Sequence, residues 1–127
     1  MKIGILAAVA AMVMITGCAI TPTVEEMAAA DYGTPIAQIE AQTRAESALK
    51  RTLKDPYSAR FRWGTVKPGW VNVDPMGEVF GATDFRYGYF LGGTVNAKNG
   101  FGAYVGERPC FALFHDGELV AYRISEH

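Results

Sequence analysis

The sequence predicts an α+β domain: one N-terminal helix laid on an antiparallel sheet of about four strands, ending in a C-terminal β-hairpin. Three observations predict it. Small and apolar residues recur at helical spacing between Pro35 and Lys54. From Phe61 onward the periodicity shortens to two, in runs broken by Gly, Pro and Asn. Asp116-Gly117 stands between two apolar runs, and this pair favours the positive φ values of a type I′ hairpin turn.

Thr34-Pro35 reads as the helix start, with Thr as N-cap and Pro at the first helical position. Ala37, Ala41, Ala45, Ala48, Leu49, Thr52 and Leu53 then share one broad face, with Glu40, Ser47, Arg51 and Lys54 opposite. Glu40→Arg44 and Glu46→Lys50 are i,i+4 pairs in the favourable order. Asp55-Pro56 stops the helix, because a residue before proline avoids the α region. Lys50, Arg51 and Lys54 crowd the last turn, either as a solvated helix end matched to the dipole or as a contact for anions or a membrane. The small-residue face lets the helix lie close on a sheet.

Residues 61–66 alternate as a first strand, with Phe61, Trp63 and Thr65 on one side. Residues 67–84 form the longest irregular segment, with a short edge strand over 70–73. Its Trp70 is either a lid over the core or an exposed binding aromatic. Residues 85–97 are the long strand: Phe85, Tyr87, Tyr89 and Leu91 share one face, and Arg86, Gly88 and Phe90 the other. Gly92-Gly93 marks a bulge or a close backbone approach. A glycine-punctuated loop over 98–108 leads into the hairpin, 109–115 with 118–124. A two-residue turn sets Leu113 opposite Val120, Phe111 opposite Tyr122, Phe114 opposite Leu119 and Ala112 opposite Ala121. Both faces of that hairpin are apolar, so the sheet is covered on both sides or offers one as a docking surface.

The N-terminus sets location. Lys2, an apolar run over 3–15 and the small residues after it describe a secretory signal. Ile15-Thr16-Gly17-Cys18 resembles a bacterial lipobox, which implies cleavage before Cys18 and a lipid on its sulfur. The chain then divides into a lipoprotein signal peptide (1–17), a lipidated tether (18–33) and a single α+β periplasmic domain (34–127). The rival is an uncleaved anchor helix over 3–20, interrupted by Gly4, Thr16 and Gly17. Two acyl chains already suffice for stable anchoring. Position 19 is Ala, not the Asp that resembles an inner-membrane retention signal, which favours the outer membrane.

Composition excludes more than it assigns. The formal net charge is −1, and loss of Lys2 with the signal makes it −2, which gives no electrostatic case for nucleic acid. Seven Phe, six Tyr and two Trp promise a real core. With Cys18 lipidated, Cys110 is a lone thiol, either buried and inert or free to bridge between molecules. His115 abuts the hairpin turn and His127 is the last residue; neither belongs to a metal-spaced cluster, and no nucleophile or phosphate-loop motif occurs. No catalytic residue, metal or cofactor is expected.

The most distinctive stretch is the loop carrying Asn96, Lys98, Asn99, Phe101 and Tyr104. Amides, an ammonium and rings on a Gly-rich loop would grip a glycan or peptide. The other reading is a tight connection whose Asn side chains satisfy turn backbone while the aromatics plug the sheet end. Asp31-Tyr32-Gly33, Leu53-Lys54-Asp55-Pro56-Tyr57-Ser58-Ala59-Arg60-Phe61 and Val95-Asn96-Ala97-Lys98-Asn99-Gly100-Phe101-Gly102-Ala103-Tyr104-Val105-Gly106 together resemble a family of small proteobacterial lipoproteins. Its pattern is D-Y-G, L-K-D-P-x-S-A-x-F and V-N-A-K-N-x-F-G-G-Y-x-G. The chain departs at Ala103, where the pattern has Gly, and at Cys110, where an aromatic is common. The resemblance implies lineage and location but no activity.

The expectation is therefore a non-enzymatic, lipid-anchored outer-membrane protein. It holds the membrane through Cys18 and contacts another envelope protein or itself. The alternative is a peptidoglycan or glycan binder using Asn96, Lys98, Asn99, Phe101 and Tyr104.

Overall fold

The computed structural model describes residues 21–73 and 84–126. The lipobox with Cys18, the far part of the 67–84 segment and His127 lie outside the described residues.

The fold is α+β, with two corrections to the expected layout. A short helix α1 (Val24–Ala29) precedes the long helix α2 (Gln38–Lys50), within the stretch expected to be tether. Thr23 and Glu26 form a capping box on α1, and the Tyr32 hydroxyl donates to the Met27 carbonyl at 2.7 Å. The sheet has five antiparallel strands, not four: β1 (Arg60–Trp63), β2 (Lys67–Asn72), β3 (Phe85–Asn96), β4 (Arg108–His115) and β5 (Glu118–Ile124). The physical reason is the length of β3. At 12 residues it outruns the four-residue β1, which pairs with its C-terminal part; β2 takes the N-terminal part on the same edge. Pro68 is tolerated because β2 is an edge strand.

Gln38 completes this divided edge. Its amide nitrogen donates to the Gly64 carbonyl at 2.9 Å and its amide oxygen accepts the Val66 N–H at 2.7 Å. A side-chain amide thus stands in for a strand partner where the chain crosses from β1 to β2.

Helix α2 is shorter than its pattern. Its N-cap is Ala37 with no side-chain cap, because Ile36 is drawn into the core and the Thr34 N–H donates to Asp116. At the other end the Thr52 and Leu53 N–H groups bond three residues back, to Leu49 and Lys50, which tightens and ends the helix. Ala41, Ala45, Ala48 and Leu49 are its buried face, and their small side chains let α2 lie on the sheet. The Glu40–Arg44 pair forms at 3.8 Å, whereas Glu46 accepts the Trp63 indole N–H at 2.9 Å.

The core lies between α2 and the sheet, with Leu91, Val95, Ala112, Cys110 and Phe114 beneath Ala41, Ala45 and Leu49. Gly93 is a close approach, not a bulge: a Cβ there would be driven into the Arg62 carbonyl and the Trp63 ring.

The hairpin register differs from expectation by one residue. Phe114 faces Leu119 as expected, but Leu113 then faces Ala121, Ala112 faces Tyr122 and Phe111 faces Arg123. A bulge between Leu113 and Phe114 leaves Val120 out of the ladder. A one-residue slip exchanges the faces of a strand. Here it brings Ile124 onto the core beside Leu49, Val95 and Cys110 and sends Arg123 to the far face, over the Phe111 ring at 6.0 Å. Without the bulge Arg123 would point into the core. On that far face Phe90 and Phe111 stack at 5.8 Å, and Leu113 is 0% exposed.

Candidate functional site

The two ends of β3 carry the residues of interest. At its C-terminal end the turn Pro56–Ser58 meets the loop that follows Asn96. Ser58 joins them: its hydroxyl oxygen accepts the Lys98 N–H at 2.8 Å, and its carbonyl accepts the Tyr104 hydroxyl at 3.0 Å. Asn99 folds the loop tip, its side-chain oxygen accepting the N–H groups of Phe101 at 2.9 Å and Ala103 at 3.2 Å. Asn96 does the same for Gly106 at 3.1 Å. Gly102 and Gly106 have φ of 81° and 98°, where Gly is favoured; Ala103 has no positive φ, so the departure from Gly there is without strain.

The predicted loop residues therefore divide. Asn96, Asn99 and Tyr104 hold the loop together. Phe101 does not plug the sheet end: it is 98% exposed, and so is Tyr57 on the turn that Ser58 fastens to it. Lys98 is left with its ammonium over the Tyr104 ring at 5.6 Å, and the Arg60 guanidinium lies over the same ring at 4.4 Å. Lys54 lies against the loop tip, close to Gly100. Among the described residues none of Lys54, Arg60 and Lys98 has a carboxylate partner, and the nearby Glu107 pairs with Arg62 at 3.4 Å.

At the other end, Asp31-Tyr32-Gly33 clasps the hairpin turn. Asp31 accepts the Gly33 N–H at 2.9 Å, Gly33 takes φ 76° and Thr34 donates to the Asp116 carboxylate at 2.8 Å. Arg44 donates to the Gly117 carbonyl from α2. Tyr32 packs edge-to-face on Tyr87 at 5.8 Å. An open cleft of about 550 Å³ lies here, lined in part by Asp31, Arg86, Tyr87, His115, Asp116 and Glu118. The His115 Nδ1–H donates to the Tyr87 carbonyl at 2.9 Å, which turns Nε2 toward Asp116 at 3.5 Å and Asp31 at 3.9 Å. This is an oriented imidazole, and among the described residues the cleft lining holds no Ser, Thr or Cys for it to activate. The Tyr87 phenol is pushed above its usual range by desolvation and by Glu26 and Tyr32, so it stays protonated.

Cys110 lies in the core, 4% exposed. Burial, with the Glu46 carboxylate adding to it, pushes its thiol up to about 11, the condition of an inert thiol. Trp70 is half-buried, edge-to-face on Phe85 at 5.4 Å. Among the described residues no group of His, Cys, Asp and Glu converges to hold a metal ion, and no helix is long and apolar enough to cross a membrane.

Sequence reasoning missed Tyr57. Its signal was an aromatic between Pro56 and Ser58 in a three-residue turn, too short for the ring to reach a core. No protein-family model, no curated protein and no solved structure matches this chain.

Proposed function

We propose that this chain is a lipid-anchored envelope protein that works by binding rather than catalysis. It holds another envelope component at the end of the sheet that carries Tyr57 and Phe101. One observation carries the reading. Two aromatic rings stand 98% exposed on connections that Ser58, Asn96 and Asn99 brace, so the rings are presented rather than loose. Rigid exposed rings are contact area obtained at low entropic cost on binding. Lys54, Arg60 and Lys98, gathered at Tyr104 and the loop tip without a carboxylate partner among the described residues, supply steering. This end supports a binding role better than a bare sheet face does, since Leu113 and Val71 on the face away from α2 are buried. The anchor itself rests on Ile15-Thr16-Gly17-Cys18, and Ala19, in place of a retention Asp, favours the outer membrane with the domain in the periplasm.

Amine-reactive crosslinking in intact cells, read by mass spectrometry, tests this. Lys54 and Lys98 are expected to form crosslinks to another envelope component, with Lys67 on β2 as the control. Equal yields at all three lysines would count against a working surface at this end. Cys18→Ser is expected to release the chain from the membrane fraction; unchanged fractionation would remove the anchor.

A further inference from the structure

We infer that the occupant of this end is a carboxylate-bearing glycan, the chemistry of the bacterial cell wall. The inference rests on the binding role proposed above and names its ligand. Three observations carry it.

The first is the pair of rings. Tyr57 and Phe101 bury almost none of their surface, so folding does not explain them. A pyranose presents a flat face of C–H groups that stacks on such a ring, while its hydroxyls stay in water.

The second is charge. Lys54, Arg60 and Lys98 converge on Tyr104 and the loop tip without a carboxylate partner among the described residues, and Arg62 occupies Glu107. Asp55, on the neighbouring turn, offsets only one of them. A surplus of cations beside rings fits a ligand with anionic groups close to an apolar face. Asn96 and Asn99 use their side-chain oxygens to accept loop N–H groups, which leaves Lys54, Arg60 and Lys98 as the charged groups that would read the ligand's carboxylates.

The third is placement. The tether joins the domain at the opposite end of β3, through Tyr32 on Tyr87 and Thr34 on Asp116. From Tyr87 to Asn96 the strand covers about 30 Å at ~3.3 Å per residue. The rings thus face away from where the chain enters the domain, which favours a polymer in the periplasm over the lipid surface.

The test uses the full chain, purified with its lipid in detergent and mixed with detergent-washed cell-wall sacculi. Wild-type protein is expected to pellet with the sacculi and to be released by muramidase or raised salt. Paired Tyr57→Ala and Phe101→Ala, and separately Lys98→Glu, are expected to weaken pelleting about tenfold or more. Ile39→Ala, at a comparably bare site on α2, is expected to change nothing. In a second arm, Phe101→Cys is labelled with an environment-sensitive dye; Cys110 is buried and does not compete. The labelled chain is reconstituted into vesicles of phosphatidylethanolamine and phosphatidylglycerol, where the dye is expected to report water. No pelleting, pelleting unaffected by the variants, or a dye emission shifted to that of lipid would each overturn the glycan. Protein crosslinks retained at Lys54 and Lys98 alongside a failed pelleting assay would overturn the glycan alone and leave the binding role standing.

Discussion

At the hairpin end of the sheet, the Asp116 carboxylate accepts the Thr34 N–H and Arg44 reaches the Gly117 carbonyl; at the loop end, the Ser58 hydroxyl accepts the Lys98 N–H and its carbonyl takes the Tyr104 hydroxyl. Each end fastens chain segments that are far apart in sequence. The aromatics separate them. Tyr32 and Tyr87 meet edge-to-face, whereas Tyr57 and Phe101 stand almost wholly in water. Charge separates them too. Asp31, Asp116 and Glu118 line the hairpin end, and Lys54, Arg60 and Lys98, without a carboxylate partner among the described residues, gather at the other. The same bracing therefore serves closure at one end and display at the other. What a residue contributes to stability should predict inversely what it contributes to binding.

The largest effect expected is at the clasp. Gly33→Ala puts a Cβ 2.8 Å from the Asp116 nitrogen at φ 76°, and should lower unfolding free energy by about 3 kcal/mol in a urea titration. Ser58→Ala comes next. It leaves the Lys98 N–H unpartnered in a half-buried setting, for a loss of about 1–2 kcal/mol by the same titration. Beneath the loop end, Cys110 supplies a pH test. Its thiol is raised from 9.0 to about 11, so the folded state holds this proton more tightly. The stabilisation is complete below pH 9 and is lost as pH rises toward 11. Thermal melts should fall more steeply over that window in wild type than in Cys110→Ala. The smallest effect is expected from Tyr57→Ala and Phe101→Ala, each within about 0.5 kcal/mol of wild type. A large loss there would mean that the rings have a folding role, and the contrast between the ends would fail.

Much of this was legible in the residues. Asp116-Gly117 takes φ of 52° and 81° as a type I′ turn requires, and the alternation from Phe85 to Leu91 places Tyr89 and Leu91 on the core. The Asn side chains of the loop do satisfy its backbone. Other features were hidden because they depend on distant partners. Thr34 is a sound N-cap by local rules, yet Asp116, 82 positions away, takes its N–H. The bulge at Val120 follows from the need to keep Arg123 out of the core, a tertiary constraint that turn chemistry does not report. Strand β2 reads weakly, with Pro68 and Gly69 inside it, and forms because β3 offers an unpaired edge. Phe101 and Tyr104 are both binding candidates in sequence, and the fold separates them: the Tyr104 hydroxyl is tied to Ser58, while Phe101 stands 98% exposed.

Site-specific photo-crosslinking in living cells tests the difference between the ends most directly. A photoreactive phenylalanine analogue is placed at position 101 or, as control, at position 39, which is 73% exposed on α2. The account predicts strong adduct formation to an envelope component from position 101 and little from position 39. Equal adducts at both positions, or none at 101, would contradict it.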